Sequence, residues 1–173
     1  MRKSPIVQAE RAFATYMAAN VLGSVLQGMN FYAAHLPQAL PLDGQGNPTG
    51  FTTLTPPFGT FTGNKPTQIG YDSGIYEFTL TAHVEVQIDD SQSVPGQDLF
   101  SPYIEAFRDL MEGNDGAGNL LVYNWLNSAS PINFQDFGLS SLKYITETLQ
   151  EPTDGRHLVF GVDYYIGATT QPE

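Results

Sequence analysis

A chain of 173 residues, 41% of them hydrophobic, is long enough to bury one core without covalent staples, and its lack of cysteine excludes disulfides, zinc-thiolate sites and thiol nucleophiles. Charged residues are 14% of the chain, against roughly 25% in ordinary soluble domains, so much of the surface is hydroxyl, carboxamide and glycine. The net charge of -11 is unevenly spread: residues 1–65 carry four cations against two acids, a net of +2, and the remainder carries three against sixteen, a net of -13, which argues against gripping a nucleic-acid backbone through the acidic part.

The start, MRKSPIVQAERAFATYMAANVL, is interrupted by Gln8, Glu10 and Arg11, and no apolar run approaches a membrane span. It reads as an unprocessed soluble protein made in the cytoplasm, with no membrane partner. Ser4-Pro5 is a helix start, a capping hydroxyl followed by a ring with preset φ. Ile6, Ala9, Phe13, Met17, Val21 and Val25 then recur at three and four, widened by Ala14, Ala18 and Leu22, which predicts an amphipathic helix over Pro5–Leu26, with Gly23 as a weak point and Gly28 as its end. MNFYAAHL, Met29–Leu36, reads as a short strand.

From Pro37 to Ser73 proline and glycine punctuate the chain and argue against regular elements, yet Phe51, Phe58, Phe61 and Tyr71 lie within it. A loop this long is usually functional or disordered. Either it folds back over its own core, or it is an arm that docks on a neighbouring subunit with those four aromatic residues as candidate interface anchors.

GIYEFTLTAHVEVQIDD, Gly74–Asp90, alternates strictly: Phe78, Leu80, Ala82, Val84 and Val86 would face a core, and Glu77, Thr79, Thr81, His83 and Glu85 would face out. Asp89-Asp90-Ser91 opens a turn. Ser101-Pro102 repeats the cap-and-proline start for a second helix, with Tyr103, Ile104, Phe107, Leu110 and Met111 as its buried stripe, and GNDGAGN breaks it. LLVYNWLNSA, Leu120–Ala129, fits a short helix or a strand. GLSSLKYITETLQ, the turn EPTDGR and HLVFGVDYYIG, with Leu158, Phe160, Val162, Tyr164 and Ile166 alternating, make a C-terminal hairpin. The expected architecture is a single α+β domain over residues 1–173: an antiparallel sheet with a long central strand and a C-terminal hairpin, packed against an N-terminal helix and one or two further helices, with a long loop or arm at about 37–73.

Chemistry is hard to find. His35, His83 and His157 are isolated, with no spacing that would put two imidazoles on one metal. Glu85, Asp89 and Asp90 could in principle supply an acid–base pair or a calcium ligand set, but no ligand loop accompanies them and a turn explains the two aspartates. NDGAGN, Asn114–Asn119, lacks the Lys and Ser or Thr of a phosphate-binding loop. No enzymatic activity, cofactor or metal is expected.

With YEFTLTAHVEVQIDD, PYIEAFRDLMEG and DGRHLVFGVDYYIGA following a capped helix in that order, the chain resembles the tail terminator and neck (head–tail joining) proteins of long-tailed bacteriophages over most of residues 5–168. The resemblance implies a small α+β virion subunit that closes into a homo-oligomeric ring, usually a hexamer, caps the tail tube and meets the head connector, with DNA passing through the channel without specific binding. The 37–73 excursion departs from that pattern by its length, which leaves other neck or baseplate ring proteins open. The competing class is a monomeric ligand-binding module that uses the aromatic excursion as its binding surface.

Overall fold

The computed structural model describes residues 4–34, 45, 57–69, 74–87, 96–128, 137–150 and 157–170. Ser4 stands extended before the proline ring and its hydroxyl accepts from the Val7 amide at 3.5 Å, which opens helix α1, Pro5–Asn20. The helix stops short of the predicted Leu26 because a side chain competes for its backbone. Ser24 Oγ donates to the Val21 carbonyl and accepts from the Leu26 amide, and Gly23 takes φ +82°. Leu22 and Val25, expected on or beside the buried stripe, are therefore turned outward, 79% and 49% exposed, whereas Ala9, Phe13, Met17 and Val21 are buried.

Strand β1, Asn30–Ala33, lies within the predicted short strand. Strand β2, Phe58–Ile69, corrects the reading of 37–73 as irregular throughout. Its proline is accommodated by a bulge: the register with the next strand skips between Asn64 and Thr67, Lys65 takes φ +51°, and Pro66 sits where no ladder donor is needed. β1 runs parallel to β2, and a parallel pair needs a long return connection. The remaining anchors predicted in 37–73, Phe51 and Tyr71, lie outside the described residues, as do His35, Asp89 and Asp90.

Strand β3, Ile75–Gln87, is the alternating run. Helix α2, Gly96–Glu112, begins before the predicted Ser101-Pro102 start, with Pro102 inside it at the loss of one backbone bond. The stretch undecided by pattern resolves as helix α3, Leu121–Asn127. Strands β4, Phe137–Gln150, and β5, His157–Thr170, form the hairpin. The sheet order is β1-β2-β3-β5-β4, so β3 is central, and every pairing except β1 with β2 is antiparallel. An unbroken ladder joins β3 to β5 from Ile75↔Thr169 to Gln87↔His157. The architecture is α+β, with the N-terminal helix packed on the sheet.

One face of the sheet carries the core: Phe78, Leu80, Ala82, Val84 and Val86 of β3 and Leu158, Phe160, Val162, Tyr164 and Ile166 of β5 are all buried. The three helices bring Phe13, Met17, Phe107, Met111, Val122 and Leu126 onto it. α1 approaches β2 closely because Gly63 has no side chain; a Cβ there would stand 2.8 Å from Ile6 Cγ2. In the same contact the fully buried Glu10 carboxylate accepts the Gly63 amide at 2.7 Å. Tyr16 donates its hydroxyl to the Leu110 carbonyl at 2.6 Å, tying α1 to α2, and burial pushes its pKa up to about 12.

The face assignment of β3 is testable by melting temperature. Val84→Asp puts an unpaired charge among buried apolar groups and is expected to cost about 3 kcal/mol or more. Thr81 is a poor control, since its hydroxyl donates to Asp163 at 2.6 Å and a carboxylate there would face another. Thr79→Lys, on the same outer face, is expected to change stability by less than about 1 kcal/mol. Similar melting temperatures for Val84→Asp and Thr79→Lys would mean the faces are exchanged.

Candidate functional site

The period of two that buries one face of β3 presents Glu77, Thr79, Thr81, His83 and Glu85 on the other, which none of the three helices backs. The β3–β5 register sets them opposite Gly167, Tyr165, Asp163, Gly161 and Val159. Tyr165 donates its hydroxyl to Glu77, which raises the phenol's pKa, and Thr81 donates to Asp163. His83 Nε2 lies 2.8 Å from Glu85 Oε1, and His157 Nε2 lies 3.0 Å from Glu85 Oε2. One carboxylate therefore engages both imidazoles, and the cluster is a tie across two strands. Among the described residues no group of three His, Cys, Asp or Glu side chains is arranged to hold a metal ion. The outcome is a polar sheet face whose carboxylates are Glu77, Glu85 and Asp163 and whose described histidines are both spent on one of them.

The β4 edge differs in character. Its charges are Lys143 and Glu147 alone. Its register with β5 shifts between Leu139 and Ser141 and again between Tyr144 and Thr146, two irregularities that blunt the edge against strand addition. Arg108 of α2 braces it: Nε donates to Glu112 Oε2 at 2.9 Å, Nη1 lies 3.6 Å from Glu147 Oε2, and the guanidinium sits 4.6 Å from the centroid of the Tyr144 ring. The hydrogen bond to Glu112 raises the Arg108 pKa further, so this cation is permanent. Beneath it Tyr164 is fully buried, and desolvation, then the neighbouring Glu112 charge, drives its phenol far above the ordinary value. Beyond this brace Tyr144, Ile145 and Leu149 remain 39%, 48% and 52% exposed.

The glycine-rich stretch between α2 and α3 carries its own anion. The Asp115 carboxylate accepts from the Ala117 and Asn119 amides at 2.8 and 2.9 Å and from Asn124 Nδ2 at 2.6 Å, while Gly118 supplies the φ of +87° that closes the turn. Donors that a phosphate would need are occupied. Beside it a cleft of about 380 Å³ is lined by Tyr16, Asn20, Leu110, Leu121, Asn124 and Trp125. Its walls are mainly aromatic and aliphatic, the Tyr16 hydroxyl is committed to Leu110, and the two asparagines donate to the Tyr16 carbonyl and to Asp115. It offers no nucleophile and no group poised to move a proton near neutrality. Asn127 grips the start of β4 as a strand neighbour would, with Nδ2 donating to the Leu139 carbonyl at 2.9 Å and Oδ1 accepting the Leu139 amide at 3.0 Å.

The sequence-derived interface anchors fare differently from expectation where the structure describes them. Phe61 is fully buried among Phe13, Phe31 and Phe107 of its own chain, and Phe58 is 7% exposed with its ring 6.3 Å from that of His83. Neither can serve as a protruding anchor while this fold is intact, because alternation along β2 directs Phe61 into the core. The pairing of His83 with Glu85 was within reach of sequence, since residues two apart share a strand face. The arrival of His157 was not, because it depends on the β3–β5 register. No family model matches this chain, and no curated protein matches it.

Asp115 makes the loop pH-sensitive. Its hydrogen bonds, led by that from the Asn119 amide, hold its pKa below the usual carboxylate range. A depressed folded-state pKa stabilises above the unfolded value, about 3.9, and the contribution is lost as pH falls through the folded one. The melting-temperature gap between wild type and Asp115→Ala should be full at pH 7 and narrow below about pH 4. A gap independent of pH would assign the effect to loop geometry alone.

Proposed function

We propose that this chain is a structural virion subunit of the tail terminator or neck kind, closing head-to-tail into a homo-oligomeric ring that caps the tail tube of a long-tailed bacteriophage and meets the head connector. Six subunits is the number implied by the resemblance of the sequence. The observation that carries the reading is the open sheet face. A wide wall of long strands carries its helices on one side, and its other side presents Glu77, Glu85 and Asp163 on β3 and β5, offset in part by Lys143 of β4, which the register sets beside Tyr165 on the same face. Turned toward a channel, such a face repels a phosphate backbone and lets DNA pass without adhering. A binding module built on the aromatic excursion has less support, since Phe58 and Phe61 belong to the chain's own packing. Among the described residues no helix is long and apolar enough to cross a membrane.

The native mass is expected to be a multiple of the 18.9 kDa chain, with annuli under negative stain, either alone or with the tail-tube protein. Short linear duplex DNA should show no affinity even at low salt. Glu77→Lys/Thr79→Lys, repeated around a ring, should create binding that weakens steeply with added salt. A monomer at high concentration, alone and with the tube protein, would sink the ring. Salt-sensitive DNA binding by the wild-type protein would sink the channel wall separately.

A further inference from the structure

Helix α3 is too short to stand by itself. Isolated helices below about 12–15 residues are marginal in water, and α3 has seven, preceded by an extended Leu120 that supplies no side-chain cap. Its surroundings must hold it, and they hold its two ends differently. At the first end the bonds belong to the segment that joins it to α2: the Leu121 amide donates to the Gly113 carbonyl, Asn114 and Leu120 pair as an isolated bridge, and Asn124 Nδ2 donates to Asp115. Asp115 and the turn at Gly118 close this segment on itself, so its shape does not depend on the sheet.

The far end reaches the sheet through Asn127, whose carboxamide both donates to the Leu139 carbonyl and accepts from the Leu139 amide. Neither bond is a rung of the ladder. Breaking both leaves β4 paired with β5 from Phe137 to Gln150. Between its ends α3 buries Val122 and Leu126 and sets Trp125 edge-on to Tyr16, ring centroids 5.5 Å apart, while Leu121 and Tyr123 stay 41% and 40% exposed. Short length, modest burial and side-chain ties mark the part of a fold that opens below the free energy of global unfolding.

We propose that α3 is a hinged flap, with the 113–120 segment as its hinge and the Asn127 carboxamide as its latch, and that it opens as one unit while the five-stranded sheet stays folded. Opening widens the cleft lined by Tyr16, Leu110 and Trp125 and frees the Leu139 amide and carbonyl at the sheet edge. The flap does not rest on the ring reading, since the contacts that define it lie within one chain.

Native-state hydrogen exchange on the intact chain tests this. The Asn124, Trp125, Leu126 and Leu139 amides should share one protection, weaker than that of Ala82 and Val162 in the central ladder and nearly independent of dilute urea, whereas the ladder amides should respond steeply to it. Asn127→Ala should speed the α3 group about tenfold, as the loss of two neutral hydrogen bonds implies. Val84→Ala, inside the sheet, destabilises the closed and flap-open forms alike, so it should speed Ala82 and Val162 roughly tenfold or more and leave the α3 group within about twofold. Equal acceleration of both groups by Val84→Ala, or a Leu139 amide that exchanges with the ladder, would overturn the flap. Unchanged α3 exchange in Asn127→Ala would overturn the latch.

Discussion

The packing depends on a single aromatic side chain, Phe61. Its ring lies 5.8 Å from Phe13 of α1, 6.3 Å from Phe31 of β1 and 6.4 Å from Phe107 of α2, and Phe107 in turn meets Phe160 of β5 at 5.7 Å. Two helices and the sheet are thus joined through one residue of β2. Truncation at such a site removes contacts on every side and leaves a cavity that no single element can collapse to fill, typically about 3–5 kcal/mol. Two residues along β2 from Phe61, Gly63 meets the buried Glu10. A buried carboxylate is tolerable only where it is hydrogen-bonded, and the Gly63 amide beside the β2 bulge supplies that bond.

From this junction the sheet acquires two unequal faces and two unequal edges. The unbroken β3–β5 ladder gives the sheet its long centre, and the side-chain period makes one face apolar and the other polar. The polar face is cross-tied by Glu85 to His83 and His157 and by Thr81 to Asp163, so its groups satisfy one another laterally. At the edges, β1 is short and β4 is long, irregular and braced by a single arginine. An arginine is suited to that place because its planar fork can hold Glu112, approach Glu147 and stack on Tyr144 at once, which a lysine cannot.

Much of this was legible in the chain. Strict alternation in 75–87 and 157–166 named the buried residues of β3 and β5 correctly, because a strand with one covered face has only one register that hides its apolar side. Spacing at three and four located α1 and the Phe107–Met111 stripe of α2. Three readings failed for local reasons. The Ser24 hydroxyl captured the end of α1, Pro102 was absorbed inside α2, and β2 formed through proline and glycine by placing them at a bulge and at a close helix contact.

The sequence by itself determined the α+β class, the two-faced character of the long strands and the division of charge between its N-terminal part and the rest, because these follow from residue type and local period. Only the tertiary structure decided which groups meet. Glu85 finds His157, Arg108 finds Glu147, and Phe61 turns from a candidate anchor into the middle of the core, because each depends on strand order, on register or on a helix crossing the sheet. Such contacts join residues far apart in the chain, and no local pattern encodes the partner. The sequence could count aromatic residues in the 37–73 excursion; the sheet had to form before any of them had an inside to face.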